Sequence, residues 1–319
     1  MVGLKMARRR LLLLLKPLDV YPSNQSSGIS RLTNPKMTQV VNYLDNRRTV
    51  HNEAIKFCQN VLKKKFVDWD TVFRNNLVEP IRDVDLVVTI GGDGTLLQAS
   101  HFMDNSIPVL GVNSDPTKVE EVEKLNEDID ATRSTGYLCA ATIKNFEQIL
   151  DDILEDRTVA SEVARMSVRV NTQQLPTYAL NDVLVAHPCP ATVSRFSFRI
   201  WREGEQCSSF VNSRSSGLRV STAAGSTAAM LSAGGFAMPI FLSDLQYMVR
   251  EPISPGVDST VMHGVVKSNE SMDIKWFSTE GLIYIDGSHI MFSVQFGDTI
   301  ELSPRAPSLK VFLPSHLLL

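Results

Sequence analysis

Gly91-Gly92-Asp93-Gly94-Thr95 separates an apolar run, Val84 to Ile90, from a helix-compatible segment, Leu96 to Phe102. Strand, glycine turn and helix in that order set backbone N–H groups at a helix N-terminus, facing an anion. Glycine lets the backbone take positive φ and lets a phosphate approach with no Cβ in the way. A carboxylate inside such a turn repels a phosphate, so Asp93 needs a task of its own. The chemistry that fits is holding, and taking a proton from, a hydroxyl that attacks a phosphoryl group. The same residue types also make ordinary tight turns. No Gly-x-x-x-x-Gly-Lys-Ser/Thr loop and no Gly-x-Gly-x-x-Gly fingerprint occurs in the chain.

Around this turn the first part alternates strand and helix signals. Leu11–Leu15, Leu86–Ile90 and Pro108–Asn113 read as strands, and Tyr43–Lys64 as a helix. That alternation predicts an α/β N-terminal domain, a parallel sheet with helices on both faces. Ligands of such sheets sit beyond the carboxyl ends of the strands, where Asp93 and Asn113 fall. Asn145–Asp156 carries Phe146, Ile149, Leu150, Ile153 and Leu154 on one helical face and Asp151, Asp152 and Glu155 on the other, and Asn145 with Gln148 reads as a capping box. The acids read as a solvated face. Arg8-Arg9-Arg10 before Leu11–Leu15 has the look of a secretory leader, but five apolar residues ending at Lys16-Pro17 suit a buried first strand better.

Beyond about Val163 the period shortens to two. Ser167–Val170, Leu180–Ala186, Arg195–Ile200, Arg219–Ser221, Leu282–Ile285 and Thr299–Leu302 read as strands, and Asp286-Gly287 as a type I′ hairpin turn. This predicts a mostly antiparallel β C-terminal domain. The expected domains are 1–137 (α/β), 138–302 (β-rich) and 303–319, a return to the first domain.

Two polar clusters interrupt the β half. Asn181-Asp182 stands inside the apolar run Ala179 to Val185. Buried polar neighbours are costly unless something satisfies them. An amide and a carboxylate suit a purine edge and a ribose diol, and they equally suit a turn or bulge. The second cluster is the small-residue stretch Ser215 to Gly235, where Gly225-Ser226-Thr227 reads as a turn capping a helix from Ala228 onward, with Met230 and Leu231 facing the core.

Taken together, Gly91–Thr95, Leu110-Gly111-Val112-Asn113, Asn181-Asp182, Gly217–Thr222 and Gly225–Ala228 resemble the NAD kinase family, most closely its plant-type NADH kinases. The resemblance covers roughly residues 80–300. It implies the two-domain fold above, an active site between the domains and a homo-oligomer, a dimer. It implies that ATP with Mg²⁺ phosphorylates the 2′-hydroxyl of the adenosine ribose of NADH, and less well of NAD, giving NADPH or NADP. Carried residue by residue, it makes Asp93 the general base. It makes Gly92, Gly94, Thr95, Asn113, Asn181, Asp182, Ser216, Thr227, Ala228 and Ser232 the nucleotide contacts, and assigns no protein metal site. Ser216 stands where the family commonly has Asp, Ala229 where it has Tyr, and Pro252–Gly256 lacks its His. Loss of a carboxylate at 216 removes attraction for the cationic oxidised nicotinamide, which favours NADH.

A lipid kinase shares the glycine turn, and a non-catalytic dinucleotide sensor would keep the pocket. The formal charge of −3 argues against general affinity for nucleic acid or anionic membrane. Cys58, Cys139, Cys189 and Cys207 form no Cys-x-x-Cys pair, which suits a reducing, cytoplasmic setting. Ser315-His316-Leu317 resembles a peroxisomal tripeptide but is followed by two residues. The histidines, His51 among them, read as structural or surface groups.

Overall fold

The computed structural model describes residues 8–18, 35–125, 130–202, 209–253 and 259–318. Cys207 and the Ser254-Pro255-Gly256 stretch lie outside the described residues. The chain divides into two compact units, Met1–Ser161 with Lys310–Leu319, and Glu162–Leu309.

In the first unit the main strands are β1 (Arg9–Leu15), β2 (Val67–Phe73), β3 (Leu86–Gly91), β4 (Val109–Asn113) and the short β5 (Ala141–Thr142). Their order is β2-β1-β3-β4, all parallel, and the strand Leu309–Phe312 adds to β4, also parallel. β1, β3 and β4 are apolar on both faces because both faces are covered. On one side α1 (Pro35–Leu62) and the helix Phe146–Leu154 bring Cys58, Val61, Leu62, Phe146 and Leu150 against Leu11, Leu13, Leu15, Val88, Ile90 and Leu110. On the other lies α2 (Asp93–Ser100). A Cβ on Gly111 would sit 3.0 Å from Leu96 Cδ1, so glycine there lets α2 seat closely.

The expected boundary at 137 falls inside this unit. The helix after it buries Phe146, Leu150 and Ile153 in the first core, which carries the unit on to Ser161. The returning segment belongs to the first unit from Lys310, not from 303, since Thr299–Ser303 still pairs within the second. Asn145 is no capping box: its Oδ1 accepts from Thr142 N at 2.7 Å rather than from the helix.

The second unit stacks two six-stranded antiparallel sheets. One contains Ser194–Arg202 and Glu270–Trp276. The other has the order His263–Val266, Leu245–Val249, Leu218–Ser221, Asp182–Ala186, Glu280–Ile285, Ile290–Gln295. Alternation sends Val183, Val185, Leu218, Val220, Ile283 and Ile285 inward, where they meet Phe196, Ile274, Trp276 and Ile300. The residues between them, Asp182, Leu184, Arg219 and Tyr284, therefore share the outer face of the second sheet. Asp286 and Gly287 both take positive φ, 51° and 109°, but Ile285 pairs with Ile290, so the strands are joined by the four-residue loop Asp286–His289 rather than by the two-residue type I′ hairpin expected. The small-residue stretch is not one helix. It forms a 3₁₀ turn, Ala224–Thr227, then a single turn, Ala229–Ser232. Met230 is buried, but Leu231 is 46% exposed, contrary to the core position expected for it.

Candidate active site

In the first unit the site grows from the carboxyl ends of β1, β3 and β4. Asp93 opens α2 and is half-buried. Its Oδ2 accepts from Tyr137 N and its Oδ1 from Leu138 N, both at 2.9 Å. The Ser134 hydroxyl adds a third bond to Oδ2 at 3.2 Å. Oδ2 is thus fully used, with the Thr135 hydroxyl also within 3.5 Å, whereas the second partner of Oδ1 is only the weak Cys139 thiol donor at 3.7 Å, which an incoming hydroxyl can displace. Gly92 lies under this loop, where a Cβ would come within 2.6 Å of Ser134.

A cavity of about 270 Å³ opens beside the turn, lined by Gly91, Gly92, Asn113 and the cations Lys16, Arg47 and Arg133. Arg47 is buried against Asp115 at 2.9 Å, and Arg133 bonds Glu121 at 2.9 Å. Burial, with Arg74 nearby, holds the Lys16 ammonium below its usual range. His51 is fully buried beneath. Its Nε2–H donates to the Lys16 carbonyl (2.9 Å), since a carbonyl only accepts, which leaves Nδ1 to accept from the Ser114 hydroxyl (2.7 Å). Burial lowers its pKa and favours this neutral form. His51 is therefore a strut under the strand ends, as its structural reading implied.

Two of the expected contacts in this unit are buried side chains, although Asn113 also lines the cavity. The Thr95 side chain is 1% exposed and packs under Gly91, where a Cβ would lie 2.2 Å from its Oγ1. Asn113 is 3% exposed, and its amide is used by Ser134 O (3.2 Å) and Asp115 N (3.3 Å), so it fixes the loop. Gly94 is open to solvent, and a Cβ added there would meet only Arg74, at 3.7 Å.

In the second unit, Asn181 and Asp182 begin the strand that crosses the outer face. The N–H groups of Leu180, Asn181 and Asp182 all donate to the Asp286 carboxylate, at 2.9, 2.7 and 2.9 Å. Asp286 was legible as a turn residue but not as this anchor. With the backbone so satisfied, the Asn181 side chain has no hydrogen-bond partner among the described residues and lines a cavity of about 450 Å³. Asp182, Arg219, Ala229, Tyr284 and Asp286 line it too. Asp182 is ion-paired with Arg219. Burial, with Asp286 adding repulsion, outweighs that guanidinium and lifts the Asp182 carboxyl from 3.8 to about 6. Because the folded value lies above the unfolded one, ionising Asp182 costs stability. That cost is absent well below pH 4 and complete above about pH 6.

A second cavity, about 510 Å³, adjoins the first through their shared residues Leu184 and Tyr284, and Ser216, Arg250, His187 and Cys189 line it. Asp182 in the first cavity and Ala186 in the second, at opposite ends of one strand, mark the span of the pair along the face, about 13 Å. Thr227, Ala228 and Ser232 were expected as contacts; none lines either cavity, and Ala228 and Ser232 are exposed on the adjoining turn, while Ala229 takes the lining position.

Residues 4–116 match the family model described as the ATP-NAD kinase N-terminal domain. The "Probable NADH kinase" of Oryza sativa subsp. japonica is 56% identical over 324 residues, 98% of this chain and 99% of that one. The "NADH kinase" of Arabidopsis thaliana is 59% identical over 312 residues, 98% and 97% of the two chains. Among solved structures, an NAD kinase from Archaeoglobus fulgidus in complex with ATP superposes with a TM-score of 0.64 at 19% identity, covering 97% of this chain and 95% of that one. Yeast NADH kinase complexed with NADH gives 0.65 at 15%, covering 96% and 81%. Those two likenesses concern the fold; the plant relatives carry the assignment, and the chain belongs to the NAD kinase family.

Proposed function

We propose that this chain transfers the γ-phosphoryl group of ATP to the 2′-hydroxyl of the adenosine ribose of NADH, giving NADPH, with NAD the poorer acceptor. The observation that carries the reading is the pair of adjoining cavities on one sheet face. A dinucleotide is two nucleosides joined by a pyrophosphate, and two pockets sharing Leu184 and Tyr284 suit such a molecule laid along the strand. Asn181 both donates and accepts, as a purine edge requires, and Asp182 accepts from ribose hydroxyls. Ser216 lies in the other pocket, where the nicotinamide would rest. Asp93 accepts the hydroxyl proton. A carboxylate is a weak base, but a loose phosphoryl-transfer transition state asks for late deprotonation and good placement. The donor phosphates approach the glycine turn, with Lys16 the nearby cation.

Among the described residues no group of three or more His, Cys, Asp or Glu side chains is gathered to hold a metal. Mg²⁺ enters this reading with the nucleotide substrate, where it would offset the phosphate charge. A homodimer in the cytoplasm belongs to the same proposal, supported by the family resemblance and by the free thiols of Cys58, Cys139 and Cys189.

The test is a side-by-side assay with Mg-ATP and NADH, NAD or diacylglycerol. The expected result is NADPH formation with kcat/KM higher for NADH than for NAD, and no lipid product. Ser216→Asp is expected to move the NADH/NAD ratio toward NAD by about tenfold, the scale of one nearby partly screened charge. An unchanged ratio removes Ser216 from the explanation. Dinucleotide binding without turnover would instead mark a sensor.

A further inference from the structure

We propose that Arg219 receives the 2′-phosphate, first as charge spreads onto the transferred group and then in the product. The inference rests on the reading above, in which Asp182 holds the ribose hydroxyls. In the transfer, the ribose O2′–phosphorus bond forms. The bond from that phosphorus to the β,γ-bridging oxygen breaks, ADP leaves with the electron pair, and the hydroxyl proton passes to Asp93. A phosphate monoester carrying a charge of about −1.5 to −2 then stands where a neutral hydroxyl stood.

The cavity around that position is otherwise hostile to such a charge. Its described lining holds two carboxylates, Asp182 and Asp286, and one cation, Arg219. Arg219 sits on the strand Leu218–Ser221, opposite Leu184 in register, so its side chain lies diagonally beside Asp182 on the outer face. One Nη bonds Asp182 Oδ2. The remaining guanidinium donors make no hydrogen bond to a described residue, and the side chain is 16% exposed, enough to meet a ligand. A planar fork with one prong anchored and the rest available matches a phosphate bidentately. Arg219 thus discriminates product from substrate: a hydroxyl needs only Asp182, whereas a phosphate next to Asp182 needs a cation to offset the repulsion.

The experiment compares wild type with Arg219→Gln and Arg219→Lys. It measures Kd for NADH and for NADPH by nicotinamide fluorescence, together with kcat and a thermal melt. For Arg219→Gln, NADPH binding is expected to weaken about 10- to 100-fold and NADH binding less than about threefold, with kcat reduced. Arg219→Lys keeps the ion pair and should recover most of both losses, falling short on NADPH by about threefold because the fork is gone. Equal losses for NADH and NADPH, or unchanged NADPH affinity in both variants, overturn the proposal and leave Arg219 a partner of Asp182 only. Should Arg219→Gln melt below the assay temperature, the Lys variant decides, since unaltered NADPH affinity there is also contradictory. Wild type failing to make NADPH at all would count against the function, whereas a wild type that turns over with insensitive variants counts against Arg219 alone.

Discussion

Asp93→Asn is expected to lower kcat for NADH phosphorylation by about 10²- to 10⁴-fold, the range for removing a positioned proton acceptor. The substitution has a second, structural consequence. Tyr137 N and Leu138 N donate to different oxygens of the carboxylate. An amide offers one oxygen, so one N–H would face an NH₂ group and lose its acceptor, at a cost of about 1–3 kcal/mol. The melting temperature should therefore fall together with the rate. Binding separates the two effects. Asn181, Asp182 and Arg219 belong to the other compact unit, so the NADH Kd is expected to stay within about threefold of wild type. Stopped turnover with intact NADH binding is the predicted pattern. A retained rate would remove Asp93 from proton transfer.

Gly225→Ala is expected to be the most damaging small substitution in the second unit. A Cβ at 225 would lie 2.1 Å from the Asn181 carbonyl oxygen, 2.5 Å from its carbon and 2.8 Å from its Cα. All three are backbone atoms, so no side chain can turn aside. Either the Ala224–Thr227 turn lifts away or the start of the Asp182–Ala186 strand shifts. Both movements pull on bonds that Thr222 makes to the Leu180 and Asn181 carbonyls. Overpacking of this kind costs about 1–3 kcal/mol, and a displacement near 1 Å of Asn181 and Asp182 is expected to raise the NADH KM by about 10²-fold. Denaturant titration and steady-state kinetics check the two parts. Wild-type midpoint and KM together would show that the turn does not set the position of Asn181.

What the sequence revealed was local. The glycine turn stood out because β3 is apolar on both faces and ends abruptly in Gly91-Gly92 before α2, so period and punctuation agreed. Asp286-Gly287 stood out because left-handed φ at two successive positions has few sequence solutions. β2 escaped notice for a physical reason: as an edge strand of the first sheet it alternates Asp68 and Asp70 with half-exposed residues, and a charged edge discourages pairing with other chains but erases the apolar signal. The Asp286 anchor of Asn181 spans 105 residues, and the Arg219–Asp182 pair spans 37. Neither separation has a periodicity to betray it. Asn181-Asp182 could be seen as polar residues in an apolar run. The carboxylate that satisfies their backbone, and so frees the Asn181 amide, came only with the register of the sheet.

Thr95 and Asn113 illustrate the opposite case. Both belong to motifs that the family resemblance marks as ligand contacts; the Thr95 side chain packs under Gly91, while Asn113 both lines the cavity and fixes a loop. A motif near a ligand contains residues that build the turn as well as residues that touch the ligand, and sequence spacing does not distinguish them.

If the proposed reaction is right, the new phosphate stands on the adenosine ribose of NADH at O2′. The direct measurement is the fate of γ-labelled phosphate from ATP after incubation with the wild-type chain, Mg²⁺ and NADH, with the product's phosphate position read by ³¹P NMR. A single new monoester at the 2′ position is expected, in a product that serves NADPH-dependent reductases. Label at the 3′-hydroxyl, on the nicotinamide ribose, or left entirely as inorganic phosphate would contradict it.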